Sequence, residues 1–385
     1  MKKTLVAIAT LAAIGAHAQS SVVLDGYFDR SYLGVNNTLS TKNAKSIASS
    51  AGTTTFGIKV REELSSDLSM GLSLNTDWAD VAGLTQDSVT IQNTTTQKGG
   101  FANSQTFADL TSKSMGTLRL GTPNSYTLTN ATGVASPAYS TGVGSSYSTN
   151  FSIANGITTG VDGSAGIAAL STNSSAQYSV TNIGARAIRI ANTVQYSSPS
   201  FNGASVHIGR SFKNDNTTVG SATSTVETVG VTEYALRYTN GPIDAMYTSI
   251  QYQSPTATST NATSATLTST QNLLGVSYAV LPNLKLHAGS GNFSSTANLY
   301  KGTSLQYGAT YTMGAWVFSG QAVTVNDSAT TDQDRKLTGA GIDYNLSKTA
   351  RAYMRYDNIN YYSNGTTVYA GTQQRRTALG FSKSF

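Results

Sequence analysis

Charged side chains fall on one parity of the chain's alternating stretches. Lys59, Arg61, Arg119, Arg189, Arg237, Lys285, Arg351, Arg355 and Arg376 are the basic members. Asp25, Asp29, Glu63, Asp77, Asp109, Glu233, Asp343 and Asp357 are the acidic ones. Spread over the whole chain, such a set does electrostatics rather than bond making: cations along a wet wall lower the barrier for anions, and carboxylates do the reverse. The same charges can also pair across neighbouring strands and simply keep a wall hydrated. Hydrolytic chemistry would need a serine beside a histidine with an orienting partner. After the first eighteen residues the chain offers His207 and His287, both on the polar parity, where a neutral wall residue is the plainer reading. Asp327, Asp332 and Asp334 could hold calcium, but their spacing does not fit an EF-hand loop. Gly142-Val143-Gly144 lacks the lysine and following helix of a phosphate-binding loop.

The elements that would position these charges are strands, because alternate residues of a strand point to opposite faces. Leu24, Phe28 and Tyr32 share one face and Asp25, Asp29 and Ser31 the other. Phe56, Ile58 and Val60 oppose Lys59, Arg61 and Glu63; after the turn Ser65-Ser66-Asp67, Met70, Leu72 and Leu74 oppose Ser73, Asn75 and Asp77, with Trp78 at the end. A strand is expected from Gly100 to Thr111, and another places Leu118 and Leu120 around Arg119. Ile188, Ile190, Val194 and Tyr196 alternate with Arg189, Thr193 and Gln195. The rhythm then runs to Leu379, Phe381 and Phe385, with turns at Asn240-Gly241-Pro242, Leu281-Pro282-Asn283 and Met313-Gly314. This gives sixteen strands, with short turns at one end and long loops at the other, as in a transmembrane antiparallel β-barrel. An exported β-helix is the rival fold, but it would show a short internal repeat, and none is found.

Composition narrows the class. Lys2 and Lys3, the apolar run Leu5 to Ile14 and Ala16-His17-Ala18 form a leader with a cleavage site, so residues 1–18 are expected to be removed and 19–385 to form the barrel. Thereafter no apolar run approaches the roughly 20 residues of a spanning helix. Only helices and closed barrels satisfy their backbone in lipid. Cysteine is absent, which excludes disulfides, thiolate metal sites and a cysteine nucleophile. Charged residues make up 11%, against about 25% in soluble domains, while 21 tyrosines suit aromatic girdles. A net charge of +6 is too small to imply nucleic acid.

Between two strand-like regions, Thr122 to Ala185 is mostly Ser, Thr, Gly, Asn and Ala, with Asp162 its one charge. A polar run of this length is functional or disordered. It is expected to fold into the lumen as a constriction loop (122–185).

Several stretches carry a resemblance: Ser20-Ser21-Val22-Val23-Leu24 with Gly26 and Asp29, Phe56-Gly57-Ile58-Lys59 with Glu63-Leu64, and Gly116-Thr117-Leu118-Arg119-Leu120-Gly121. Asn192-Thr193-Val194-Gln195-Tyr196, Ser198-Pro199-Ser200-Phe201-Asn202-Gly203 and the terminal Phe385 complete it. The chain resembles a Gram-negative general porin of the β-proteobacterial, neisserial-related type. That resemblance implies a sixteen-stranded homotrimeric barrel in the outer membrane, with the third external loop as an eyelet. It also implies contact with outer-membrane lipid and lipopolysaccharide, and a Phe385 read by the outer-membrane assembly machinery. Thr122-Pro123 and Ser104 stand where the family often has basic residues, which weakens the transverse field the resemblance implies.

The function expected is passive diffusion of small hydrophilic solutes and ions, with a modest anion preference, no catalysis and no cofactor. The pore-lining candidates are Lys59, Arg61, Arg119, Asp162, Arg189, Arg237, Arg351, Arg355, Arg376, Glu233 and Asp343, of which Arg119 and Arg189 flank the central loop. A substrate-selective porin and an adhesin or structural barrel are the alternatives. Liposome swelling separates the last from a channel.

Overall fold

The computed structural model describes residues 20–37, 44–77, 102, 104–136, 142–145, 192–212, 230–253, 268–295, 301–327, 334–362 and 373–385. In chain order the strands are β1 (Ser21–Asn37), β2 (Ala44–Ala48), β3 (Thr55–Glu63), β4 (Leu68–Asp77), β5 (Thr106–Ser112) and β6 (Gly116–Thr122). There follow β7 (Thr193–Ser197), β8 (Ala204–Ser211), β9 (Gly230–Asn240), β10 (Ile243–Gln253), β11 (Thr268–Leu281) and β12 (Leu284–Ser295). The last five are β13 (Lys301–Met313), β14 (Trp316–Asp327), β15 (Asp334–Asn345), β16 (Ala350–Tyr362) and β17 (Gln373–Ser384). Every neighbouring pair is antiparallel, and β17 pairs back onto β1 from Tyr27↔Ser384 to Asn37↔Gln374, closing the sheet on itself.

The seventeen segments make sixteen staves. β1 pairs with β2 over Ser31 to Val35 and with β3 over Ser21 to Tyr27, so β2 and β3 are one stave broken at residues 49–54. At the break the ladder is replaced by side chains. The Ala51 and Gly52 amides donate to the Asp29 carboxylate at 2.7 and 3.1 Å, and Asp29 N–H donates to Thr54 Oγ1 at 3.1 Å. Arg30 Nη1 donates to Asp29 O, Ser49 Oγ and Thr54 Oγ1 at 2.7, 3.0 and 2.9 Å. The strand Ala44–Ala48 lies in the stretch before Phe56 for which the alternation gives no strand. Likewise β5 begins at Thr106 rather than Gly100.

Parity behaves as expected on the outside. Leu24, Phe28, Tyr32, Met70, Leu72, Leu118, Leu120, Tyr234, Leu236, Tyr307, Leu379 and Phe381 are all exposed on the outer face. Trp316 packs beside Tyr344 and Phe318 at the end that carries the short turns, with ring centroids 4.6 and 6.4 Å away. Such an apolar outer band with aromatic edges is what lipid requires of a barrel. Phe385 belongs to the wall: it exchanges both backbone hydrogen bonds with Gly26 at 3.1 Å.

Inside, the simple rule of polar inward residues needs correction. Leu33, Val35, Met246, Ile250, Leu273, Phe293, Val323, Val325, Leu337 and Ile359 face inward and are buried. Two groups of these are covered by the chain itself. Val143 packs with Leu33, Val35, Ala48, Ala51, Tyr353 and Ala378, and Val134 packs with Ala235 and Met246. An inward apolar residue in either group marks a place where an inner segment lies against the wall and excludes water.

Candidate functional site

The inner segment starts where β6 stops. Pro123 has no N–H to continue the ladder. Ser125 then caps a helical turn, its hydroxyl accepting from Leu128 N–H at 3.0 Å. Helix α1 (Tyr126–Thr129) runs on as a π-helical turn over Asn130–Val134. The first part of the polar run is thus helical, a feature its composition did not announce.

Residues far away in the sequence hold the turn in place. Glu233 of β9, fully inward and 2% exposed, accepts from Tyr126 N–H at 2.9 Å, Thr127 N–H at 2.6 Å and Thr127 Oγ1 at 2.6 Å. Three donors on one carboxylate satisfy the first orphan amides of the turn. Asn130, with a fully buried side chain, donates to Met246 O at 2.9 Å and Leu273 O at 3.0 Å. It thus bridges β10 and β11 through their backbone carbonyls.

From there the segment follows one row of the sheet. Arg376, Asp357, Gly339, Gln321, Gly308, His287 and Ser277 stand opposite one another from β17 to β11. His287 Nδ1 lies 2.9 Å from Ala135 O, Ser136 Oγ donates to Gln321 Oε1 at 2.6 Å, and Gly144 N–H donates to Asp357 Oδ2 at 2.7 Å. Gln321 Nε2 also donates to Gly144 O. Missing side chains on the wall make this approach possible: a Cβ on Gly289 would fall 2.9 Å from Ala135 Cβ, and one on Gly339 2.9 Å from Gly144 Cα. Val143 N–H reaches Ser50 O at 2.8 Å, in the broken stave.

The charges expected to line the interior occupy two settings. On the stretch from β1 to β6, Lys59 pairs with Asp25 at 2.6 Å and Arg61 with Glu63 at 2.8 Å, the two cations being 55% and 51% exposed. Arg119 is 3.9 Å from Asp109 and lies over the Phe107 ring, 4.0 Å from its centroid. Around the other side the pairs are more buried. Arg237 grips Asp244 through two bonds of 2.9 and 2.8 Å, Arg351 and Arg355 both reach Asp343 at 3.0 Å, and Arg376 reaches buried Asp357 at 2.5 Å. Asp162 and Arg189 lie outside the described residues. All three bonds given above for Glu233 go to the inner segment.

Sequence reasoning missed Asp244, Gln321, Asn130 and Phe107. Asp244 was within reach of it, since it follows the Asn240-Gly241-Pro242 turn on the same face as Arg237. Asp29 sits deeper than expected: it is wholly buried, and Tyr353 Oη donates to it at 2.5 Å. His207 lies between two serines, Nδ1 2.9 Å from Ser197 Oγ and Nε2 3.1 Å from Ser205 Oγ, with the Tyr126 ring 4.8 Å away. Both its ring nitrogens are thus engaged by hydroxyls, whereas a triad histidine needs a carboxylate or amide on one side.

A family model described as Gram-negative porin matches residues 4–365. Among solved structures, the anion-selective porin from Comamonas acidovorans superposes with a TM-score of 0.69 at 20% identity, covering 95% of this chain and 100% of that one. Outer-membrane expressed OmpT of Vibrio cholerae gives 0.61 at 14% identity, covering 95% and 98%. Salmonella typhi OmpF, solved in complex with daunomycin, gives 0.58 at 15% identity, covering 94% and 97%. At these identities the likenesses speak to the fold. The curated protein sequences contain no match to this chain.

Proposed function

This chain belongs to the Gram-negative porin family and is an outer-membrane β-barrel diffusion channel; from that premise we propose how it selects what it passes. The segment 122–185 is the constriction loop. What supports this is the fastening of its first part to inward residues of β9, β10, β11, β12, β14 and β16. Small hydrophilic solutes cross the space left between that segment and the wall of β3 to β6. Polar side chains there stand in for bulk water, and the narrowed cross-section sets the size limit.

The pore-lining cations Lys59, Arg61 and Arg119 face that space, with Arg237, Arg351, Arg355 and Arg376 tied to carboxylates behind or beneath the segment. The single observation carrying a modest anion preference is the exposure of Lys59 and Arg61 to half their surface or more. One solved neighbour bears the words "anion-selective porin" in its title. The channel works without catalysis and without a cofactor.

Residues 1–18 serve as the export leader. The barrel assembles as a homotrimer, in keeping with a structural neighbour described as a trimer form. Its outer face meets membrane lipid and lipopolysaccharide, and Phe385 is the handle read by the assembly machinery.

Planar-bilayer recording of the purified chain tests the selectivity. A salt gradient should give a reversal potential of the sign set by anions. A clear cation preference would overturn the reading.

A further inference from the structure

Five inward arginines of the described residues, Arg61, Arg237, Arg351, Arg355 and Arg376, each reach a carboxylate at 3.0 Å or less. Arg119 does not. Its ladder partner on β5 is Asp109, directly opposite, yet the nearest approach is 3.9 Å. The guanidinium instead lies across Phe107, two residues along the same inward face of β5. Gly121 stands opposite Phe107, and a Cβ there would come within 3.1 Å of Phe107 Cβ and 2.7 Å of its Cα, so the close approach of the two strands at this pair requires that glycine. Arg119 Nε is buried without a hydrogen-bond partner among the described residues, while a third of the side chain stays exposed.

Physical chemistry ties these facts together. An arginine closed on a carboxylate at 3.0 Å or less has that N–H edge occupied, so a passing anion must compete with the carboxylate for it. A guanidinium held over an aromatic face keeps its charge, because the ring supplies a quadrupole and no counter-charge. With a third of the side chain exposed, its remaining N–H donors can meet an oxyanion or halide. Phe107 is itself a large aromatic on the inward face, whereas Phe28, Tyr32, Tyr234, Tyr307 and Phe381 stand on the outer one.

We propose that Phe107 is a specificity-determining positioning residue, whose ring holds Arg119 off Asp109 and so keeps its charge available to small inorganic anions and carboxylates in the lumen. This rests on the anion-preferring reading above and deepens it, naming the residue that keeps one wall cation from closing on its carboxylate neighbour.

The test is the chloride-to-potassium permeability ratio from reversal potentials of the full chain in planar bilayers. Phe107→Leu removes the ring, Phe107→Tyr keeps it, Arg119→Gln removes the charge and Asp109→Asn removes the competing partner. Arg119→Gln should lower the ratio, Phe107→Leu should reproduce at least half of that drop, and Phe107→Tyr should leave the ratio as in wild type. In the Asp109→Asn background Phe107→Leu should have no effect, because the carboxylate on which Arg119 would collapse is gone; such a cycle isolates the coupling from the separate charge change. Phe107→Met replaces the leucine variant if that one fails to assemble. A wild-type ratio in Phe107→Leu, with Arg119→Gln lowered, overturns the role of the ring and leaves the anion reading standing. An equal effect of Phe107→Leu with and without Asp109 also overturns it. A wild-type channel preferring potassium sinks the underlying reading itself.

Discussion

Glu233→Gln isolates the anchor of the inner segment. The carboxylate has three donors on it, two from Thr127 on Oε1 and one from Tyr126 on Oε2. A glutamine keeps one oxygen, so with its amide turned to retain both Thr127 bonds, an N–H of the new amide confronts the Tyr126 N–H. Hydrogen bonds to charged groups contribute about 1.5–3 kcal/mol each. Losing the Tyr126 bond therefore raises the ratio of lifted to seated segment about 10- to 150-fold, at roughly 1.36 kcal/mol per decade. The chain has no cysteine, so a single Leu128→Cys gives a clean probe at a position 6% exposed when the segment is seated. Thiol labelling of Leu128→Cys in the folded protein should accelerate by that factor when Glu233→Gln is added. Asp244→Asn, which alters an inward carboxylate bonded to Arg237 and Thr239, should leave the rate unchanged. Equal labelling rates with and without the Glu233→Gln change would refute the anchoring role.

Three further outcomes are expected. Asp357→Asn strips Arg376 of a fully buried partner and weakens the hold on Gly144, and removing one member of a buried pair costs about 3–5 kcal/mol; the heat-induced gel-mobility shift of the barrel should occur at lower temperature, and an unchanged midpoint would contradict this. Gly26→Val should slow or prevent closure after dilution from urea, because a Cβ there would lie 2.8 Å from Phe385 Cε1 and 2.9 Å from Thr55 O, whereas Gly34→Val on the same strand, whose Cβ meets nothing nearer than 3.8 Å, should close far faster. In the turn after β3, the Ser112 hydroxyl, helped by the backbone and side chain of Ser114, holds the Asp67 carboxyl below its ordinary value of 3.8. A lowered folded value means that its contribution is complete above the ordinary value and is lost as pH falls through the lowered one. The stability gap between wild type and Asp67→Asn should thus exist at neutral pH and vanish in strong acid, as read by the same mobility shift.

The staves were legible because lipid demands a strict two-residue rhythm, which Leu24, Phe28 and Tyr32 keep against Asp25 and Asp29 over the whole first strand. Turns such as Asn240-Gly241-Pro242 were equally plain, since glycine takes the positive φ that Gly241 shows. The break at residues 49–54 was hidden, because its run of Ser, Ala, Gly and Thr carries no pattern and its bonds come from Asp29, more than twenty residues back. Helix α1 was hidden for a related reason. Its threonines have weak helical preference, and Glu233, 106 residues onward, supplies the fastening. Whether a wall arginine ends on a carboxylate or on a ring depends on side-chain packing across staves, which alternation does not encode, as Arg119 and Phe107 illustrate.

The segment that follows β6 is bolted to two stretches far apart in the sequence: Val143 to Ser50 and Gly144 to Asp357. Both bolts are in place together only when the hoop of staves has been joined, so the gate is hung only after the doorway is finished. A barrel that fails to close is then also one that fails to restrict, and leakiness to oversized solutes becomes a direct report on the fidelity of assembly.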